Sequence, residues 1–503
     1  MHRRPQSSTW LADRIAPMVA VLATIGWGWA AWPYTVDDAY IVARVGRTLV
    51  EHGTWGINPA MPVDAVTSLP WGLLAASAVA FGLDPMAVAK VVGIACAALA
   101  AWICVRSVAR RARGRTAAWL AAMLVSGQHL NGLSAAAGLE TGLATLLVTG
   151  SATEAARARP RAMLVGLLAG ALAWVRPEAT AAGLAALAAL ALRRRLTVAS
   201  VAVAGGAILG VAALRLLAFG DPWPLAAHAK PPDPSHAVAY LASGLVLSGA
   251  IALLPAAIPA LRRRDRRPWG LALPSVAGLG AILVAGGDWM PTYRMIAPVL
   301  PPLAALAALG LARPWPEMRQ SRSALPRMAR RIAVVALPLT AVALPGLDAW
   351  NEVPEMRRAG LLASQRGPLL AERIATHGRR VALVDVGIVG WHRPELDIID
   401  LGGLTEPSVA RAAGGYLDKR IDPGWLAARG PDVIVVHSRT RPWVDRETGR
   451  IRIRGHPVEH RVLGLPWVTR NFLPRELFEY RRGYWYLVMA IASERTHARA
   501  IAP

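Results

Sequence analysis

The chain has 503 residues, of which 54% are apolar and only 17% are charged, and its formal net charge is +24. In a soluble protein this charge would suggest binding to nucleic acid. Here the arginines lie between long apolar blocks, where a membrane protein keeps its cytoplasmic charge. The composition therefore argues against nucleic acid as a partner and predicts a polytopic membrane protein.

Eleven apolar blocks approach the roughly 20 residues that a helix needs to span the hydrocarbon core. In chain order they are 16–34, 86–105, 116–130, 139–154, 162–176, 179–192, 197–218, 237–260, 268–286, 292–312 and 332–349. With a cytoplasmic N-terminus, every arginine cluster between them falls on the cytoplasmic side, as membrane proteins prefer. We therefore predict about eleven spans, with residues 1–350 as the membrane domain and the C-terminal part outside.

The apolar block 68–83 is treated differently from the others. It has only 16 residues, and counting it as a span would move every later arginine cluster to the outer face. We therefore predict an interfacial or re-entrant helix within a first outer loop that covers 35–84.

The predicted outer loops carry most of the unusual polar residues. Ionisable side chains near membrane depth are costly, so they indicate function by default. Carboxylates in these loops could act as a base or bind a metal, and the cations could hold a phosphate. The candidate catalytic residues are Asp38 and Asp37. The candidate substrate-binding residues are Arg44, Glu140, Arg176, Glu178, Arg215, Lys230, Asp288 and Arg294.

Structural roles remain open for several of these residues. Asp37 and Asp38 could cap the helix that is predicted to run from Asp38 to about His52. Glu140 could form a structural ion pair, and Lys230 could be an ordinary loop charge. Two further residues, Arg176 and Arg215, could extend to lipid headgroups.

Residues 351–503 have the composition of a small soluble domain. A polar helix to about residue 375 precedes predicted strands at 380–385, 397–400 and 431–436, with helical segments between them. Alternating strands and helices predict a small α/β layer. The basic and aromatic stretch 480–486 (YRRGYWY) could lie at lipid headgroups or hold a glycan.

Five short motifs, all in predicted outer loops, resemble those of the GT-C class of polyprenyl-phosphate-dependent membrane glycosyltransferases. They are DDAYI at 37–41 with Arg44, VDAVTS at 63–68 after Asn58, AGLET at 137–141, RPE at 176–178, and GGDWM at 286–290 with Arg294. Within the class, the chain looks most like the branch that contains the mycobacterial terminal arabinofuranosyltransferase. It departs from that branch at 219–224, where an Asn-Thr pair is missing.

The resemblance implies an inverting glycosyltransferase in the bacterial inner membrane. It would move arabinofuranose or a mannose-like sugar from a polyprenyl-phosphate donor to a cell-envelope glycan or lipid on the outer face. Asp38 would be the base, and Asp37 would orient it or coordinate a cation. Members of the class differ in using a divalent cation, so a Mg²⁺ or Mn²⁺ requirement stays open.

A transporter or flippase for a lipid-linked sugar is the alternative function. Transporters often have internal repeats and broken helices near the bilayer midplane. The motifs of this chain show no clear repeat, and its polar residues gather at one predicted face. These features favour the enzyme.

Overall fold

The computed structural model describes residues 7–111, 115–262, 264–312, 324–447 and 450–492. The helices of the part before residue 312 are α1 Ser7–Ala30, α2 Asp37–His52, α3 Leu69–Ala80, α4 Pro85–Arg111, α5 Arg115–Ser126, α6 His129–Ala135, α7 Thr141–Ala155, α8 Ala162–Val175, α9 Thr180–Leu192, α10 Val198–Phe219, α11 Leu225–Ala229, α12 Pro234–Leu247, α13 Ala250–Leu261, α14 Trp269–Ala285 and α15 Leu300–Leu311. Short 3-10 turns lie at Pro177–Ala179 and Ala297–Val299. These helices pack into one bundle whose core is mostly alanine, leucine and valine.

Helix length supports only part of the predicted topology. Among the described residues, α4 and α10 are long and apolar enough to cross a bilayer, and α12 with α13 would make a third span. The other apolar helical segments, which include Arg14–Ala30 of α1, have 10–17 residues, so the count of eleven spans stays a prediction. Helix α3 has 12 residues and is about 18 Å long, which suits the predicted interfacial helix but does not set it apart from α5 or α15.

Two predicted blocks can be compared directly with the helices. The block 237–260 was predicted as one span. In the structure it consists of two helices, α12 and α13, which meet at a 79° bend with the break at Ser248 and Gly249, so the single span stays a prediction. The predicted turn between 162–176 and 179–192 is confirmed, because α8 ends at Val175 and Arg176 has an extended backbone. Pro177 then begins the 3-10 turn that leads into α9.

A single helix, α16 Ala324–Ala375, connects the bundle to the C-terminal domain. Its 52 residues correspond to about 78 Å. The predicted last span and the predicted polar helix are therefore one element. It passes residue 350 without interruption, so the domain boundary placed there stays a prediction.

The remaining elements form a small α/β domain. The strands are β1 Arg380–Leu383, β2 Asp397–Asp400, β3 Val433–Ser438, β4 Trp443–Val444, β5 Ile451–Arg452, β6 Phe472–Arg481 and β7 Tyr484–Ile491. The helices are α17 Val386–His392, α18 Pro407–Ala410, α19 Pro423–Arg429, α20 Pro457–Gly464 and α21 Pro466–Asn471. Five strands make one sheet in the order β2-β1-β3-β7-β6, and β4 pairs with β5 separately.

The sheet is mixed rather than wholly parallel. Strands β2, β1 and β3 are parallel and correspond to the three predicted strands. The hairpin β6–β7 was not predicted, and its β7 strand pairs antiparallel with β3. The basic and aromatic stretch 480–486 forms the turn of this hairpin. Because β1 and β3 are parallel, their carboxyl ends reach the same edge of the sheet as this turn, next to the first outer loop.

Candidate active site

The acidic pair stands at the start of α2, but it does not cap that helix. The N-cap residue is Val36, and it has no side-chain capping bond. The Asp37 carboxylate turns instead to the C-terminal domain, where its oxygens accept hydrogen bonds from the amides of Gly387 (2.9 Å) and Ile388 (2.8 Å). These amides belong to the first turn of α17, so Asp37 joins the two parts of the protein.

The surroundings of Asp37 make it a poor general base. Desolvation, followed by the negative charge of Asp385, raises the pKa of Asp37 to about 8, and the two amides oppose this shift. Both oxygens of Asp37 accept amide hydrogens from α17, so neither is free to take up the proton of an acceptor hydroxyl. Asp38 therefore remains the stronger candidate for the base.

Asp38 lies beside two cations. Its Oδ2 atom is 3.7 Å from Lys230 Nζ and 3.7 Å from an Arg294 guanidinium nitrogen. Arg294 also forms a tight ion pair with Asp288. The carboxylate thus has positive charge on one side, where a phosphate leaving group could be held.

The GGDWM loop brings Asp288 to this position through its two glycines. Gly286 and Gly287 have φ values of 89° and 79°, which side chains rarely tolerate. A Cβ on Gly287 would also come within 3.0 Å of the Tyr240 side chain. The loop therefore depends on glycine to turn sharply after α14 and to point Asp288 inward.

Arg176 supplies a third cation near the same place. Its guanidinium is buried and lies 2.6 Å from Glu178 and 3.6 Å from Glu140. The ion pair that was left open for Glu140 is thus present. Arg176 does not extend to the surface, and its charge is held in place by two carboxylates.

These residues line one cavity of about 670 Å³. Seven of the ten candidate residues contribute to it: Asp38, Glu140, Arg176, Glu178, Lys230, Asp288 and Arg294. Its other walls are largely apolar and include Ala281 and Val284 of α14. A cavity with a charged end and apolar walls suits an amphipathic ligand such as a lipid phosphate.

Two candidate substrate-binding residues do not reach this cavity, so the structure does not support that role for them. Arg44 is buried and donates hydrogen bonds to the carbonyls of Ile57 (2.9 Å) and Pro394, which join loop 35–84 to the C-terminal domain. Arg215 is buried in an ion pair with Asp64 at 2.8 Å, and it also donates to a loop carbonyl. Both arginines fix the first outer loop by satisfying buried polar groups.

A second cavity, of about 790 Å³, lies on the other side of Asp38. The first outer loop and the edge of the C-terminal sheet enclose it. Its polar and aromatic lining residues are Asp37, Asp38, Trp289, Asp385, Tyr416, His437, Arg439, His456, Arg481, Arg482 and Tyr484. Asp38 is the acidic candidate that lines both cavities.

Sequence reasoning missed most of the second cavity. The YRRGYWY stretch and the Asp385-Val386-Gly387 motif were visible signals. His437 and His456 were not, because each is a lone histidine that only the fold brings close to the other, with ring centroids 4.3 Å apart.

The acidic pair offers a poor binding site for a divalent cation. The oxygens of Asp37 already accept amide hydrogens, and Asp38 faces Lys230 and Arg294. In the described part of the chain, His437, His456 and Glu459 lie close enough together to share a metal ion. However, Glu459 already accepts hydrogen bonds from the amides of both histidines at 2.8 Å, so neither group fits a metal ion well.

The solved structures that share this fold include two of ArnT from Cupriavidus metallidurans. The structure bound to undecaprenyl phosphate matches with a TM-score of 0.58 at 12% identity and covers 99% of this chain and 100% of that chain. The apo structure matches with a TM-score of 0.57 at 14% identity and covers 96% and 98%.

Sequence comparisons add little to this result. Residues 355–489 match the model of a domain of unknown function, DUF8728. No curated protein matches the chain. The resemblance to the arabinofuranosyltransferase branch therefore stays a prediction, and what is established is the fold: the chain has the ArnT-like fold over its full length, with a helical bundle followed by a small sheet domain.

Proposed function

We propose that this protein is a glycosyltransferase of the bacterial inner membrane that takes a sugar from a polyprenyl-phosphate donor. The acceptor would be a cell-envelope glycan or lipid on the outer face. The observation that carries the proposal is the position of Asp38, which lines two cavities, whereas Lys230 and Arg294 line the 670 Å³ cavity and not the 790 Å³ one. The ArnT structure that contains undecaprenyl phosphate supports the same donor class.

The arrangement suggests an inverting displacement. The donor phosphate would lie in the 670 Å³ cavity beside Lys230, Arg294 and Arg176. Asp38 would remove the proton from an acceptor hydroxyl while the hydroxyl oxygen attacks the anomeric carbon. The bond from that carbon to the phosphate oxygen breaks, and the cations stabilise the departing polyprenyl phosphate. The configuration inverts because attack comes from the side opposite the phosphate.

Glycosyl transfer in membranes tests this proposal directly. Membranes that contain the wild-type protein would be supplied with radiolabelled polyprenyl-phosphate arabinose or mannose and a crude cell-envelope acceptor. Transfer of either sugar supports the enzyme and selects the donor. Movement of intact labelled lipid across vesicles without transfer would instead establish the flippase.

Lys230→Met should weaken the binding of undecaprenyl phosphate by about tenfold. A charge-assisted hydrogen bond contributes on the order of 1.5–3 kcal/mol, and Lys230 is partly exposed, which favours the lower end. Binding can be followed with the purified protein and a fluorescent undecaprenyl phosphate. Lys230→Arg, which keeps the charge, should retain most of the affinity. Equal affinity of Lys230→Met and wild type would place the phosphate elsewhere.

Removal of divalent cations should leave transfer largely unchanged. We propose that Lys230, Arg294 and Arg176 neutralise the leaving phosphate, because the carboxylates near Asp38 are engaged by cations or amides. The check is the transfer rate in EDTA compared with the rate in Mg²⁺ or Mn²⁺. A rate that collapses in EDTA and returns with Mn²⁺ would contradict this and assign a metal to the acidic pair.

A further inference from the structure

The 790 Å³ cavity has no part in holding the donor phosphate, yet it opens onto Asp38. Its walls come from elements that are distant in the chain: the start of α2, the GGDWM loop, the ends of β1 and β3, and the β6–β7 turn. The charged side chains that line this cavity indicate what it would bind.

Three arginines converge on this cavity from the C-terminal domain: Arg439 after β3, and Arg481 and Arg482 at the hairpin turn. In the described ranges, none of them has a carboxylate within ion-pair distance, in contrast to Arg373, Arg380 and Arg461 of the same domain. The Arg481 guanidinium lies 5.0 Å from the centre of the Tyr484 ring, which restricts its position.

The carboxylates of the same cavity do not neutralise these arginines. Asp37 accepts the two amides of α17, and Asp385 accepts a hydrogen bond of 2.6 Å from the Tyr486 hydroxyl. Asp38 faces Lys230 and Arg294, which lie on the donor side. The side of the cavity that faces the sheet is therefore positively charged.

The buried pair of His437 and Glu459 lies next to this positively charged side of the cavity. His437 is almost fully buried, and its Nδ1 atom lies 2.6 Å from Glu459, which also accepts the His437 amide. His437 is also one of the residues that line the cavity. The His437 ring stacks on Tyr484 with centroids 5.2 Å apart, so it also holds the hairpin turn in place.

Trp289 gives the cavity an apolar surface next to Asp38. Trp289 is 48% exposed although it follows the buried Asp288. An exposed aromatic ring beside hydrogen-bonding groups is suited to a ligand with both apolar and polar faces, such as a sugar ring.

We propose that the 790 Å³ cavity is the acceptor site and that its acceptor is an anionic glycan, a saccharide bearing a phosphate or a carboxylate. Arg439, Arg481 and Arg482 hold the anionic group, and one hydroxyl of the sugar faces Asp38. Arginine pairs with both anions through two parallel hydrogen bonds, so the shared chemistry is the negative charge. The acceptor role rests on the proposed transferase function, whereas the binding of an anionic sugar can be tested without it.

Binding to the purified full-length protein tests the proposal, with three probes that differ in charge: mannose 6-phosphate, glucuronic acid and mannose. Saturation-transfer NMR should detect at least one of the anionic probes and show mannose at least about tenfold weaker, as expected when charge-assisted hydrogen bonds are lost. Comparison of mannose 6-phosphate with glucuronic acid shows whether the site prefers a phosphate or a carboxylate. Equal binding of mannose overturns the proposal.

A double variant and a matched control locate the site. Arg439→Gln with Arg481→Gln should lower the affinity for the anionic probe by about tenfold or more. Arg446→Gln with Arg470→Gln removes the same two charges from exposed positions of the same domain outside the cavity, and it should bind like wild type. Equal losses in both variants would show non-specific attraction and overturn the site.

The transfer assay separates the two proposals. If the wild type transfers sugar to an anionic acceptor, and the Arg439 and Arg481 double variant lowers that transfer at least about tenfold while the Arg446 and Arg470 control keeps it, the acceptor assignment stands. If the wild type transfers only to neutral acceptors, the inference is overturned while the transferase remains. If undecaprenyl phosphate does not bind and no sugar moves, the proposed function fails and the acceptor assignment fails with it.

Discussion

Asp38→Asn should lower the rate of glycosyl transfer by about 10²- to 10⁴-fold, the usual contribution of a positioned general base. Asparagine has nearly the same shape but cannot take up the acceptor proton. It also removes the negative charge that faces Lys230 and Arg294, so the lipid phosphate should bind at least as well as before. The measurements are the transfer rate at saturating donor and the affinity for undecaprenyl phosphate, at equal amounts of protein.

Two further variants make this result interpretable. Glu51→Gln changes an exposed carboxylate on the same helix and should leave transfer unaffected. Asp37→Asn should keep a larger share of the rate than Asp38→Asn, because Asp37 holds α17 rather than the acceptor. A fully active Asp38→Asn beside an inactive Asp37→Asn would reverse the assignment of the base.

Gly387→Ala should separate the C-terminal domain from the acidic pair. An added Cβ would lie 2.1 Å from the backbone oxygen of Asp37 and 2.8 Å from its Oδ2 atom. The start of α2 and helix α17 must therefore move apart. Overpacking costs about 1–3 kcal/mol, and the loss of amide bonds to a carboxyl adds a similar amount. We expect a lower midpoint of thermal unfolding, faster proteolysis after residue 375, and a loss of transfer because Asp38 shifts with Asp37.

Gly390→Ala is the matched control in the same helix. The nearest atoms to its added Cβ are 3.6 Å away, which is ordinary contact. This variant should be neutral or slightly stabilising, since alanine is the better helix former. If both variants behave alike, the contact between Asp37 and α17 does not hold the domain.

Seven of the ten candidate residues chosen from the sequence line one cavity, whereas the contacts of Arg44 and Arg215 were not predicted. Asp38 and Asp288 lie in different outer loops, and a local signal positions each of them. For Asp38 the signal is the start of a helix, and for Asp288 it is the Gly-Gly turn. The roles of Arg44 and Arg215 depended on partners that only the fold supplies, namely the carbonyl of Pro394 and the carboxylate of Asp64. An arginine in an outer loop looks the same in the sequence whether it faces a ligand or a buried carbonyl.

Prediction of the secondary structure was limited in the same way, because it relied on local patterns in the sequence. Three strands with buried, β-branched runs were predictable, as was the helical nature of the bundle. The hairpin β6–β7 was not, because Pro474 and several charged residues interrupt the alternation expected of strands. The bend between α12 and α13 was missed since an uninterrupted apolar block says nothing about direction.

The connection made by α16 determines how an acceptor could approach. Gly360 in this helix lies against the backbone of Pro33, and Arg357 donates a hydrogen bond of 3.1 Å to the carbonyl of Ala30. The domain is thus attached along α16 to the end of α1 and the residues that follow it, and again through Asp37. Two such attachments remove the hinge that would let the domain swing away from the bilayer. The reaction would then take place at a fixed height above the membrane, and glycans would be selected partly by whether their ends can reach that height.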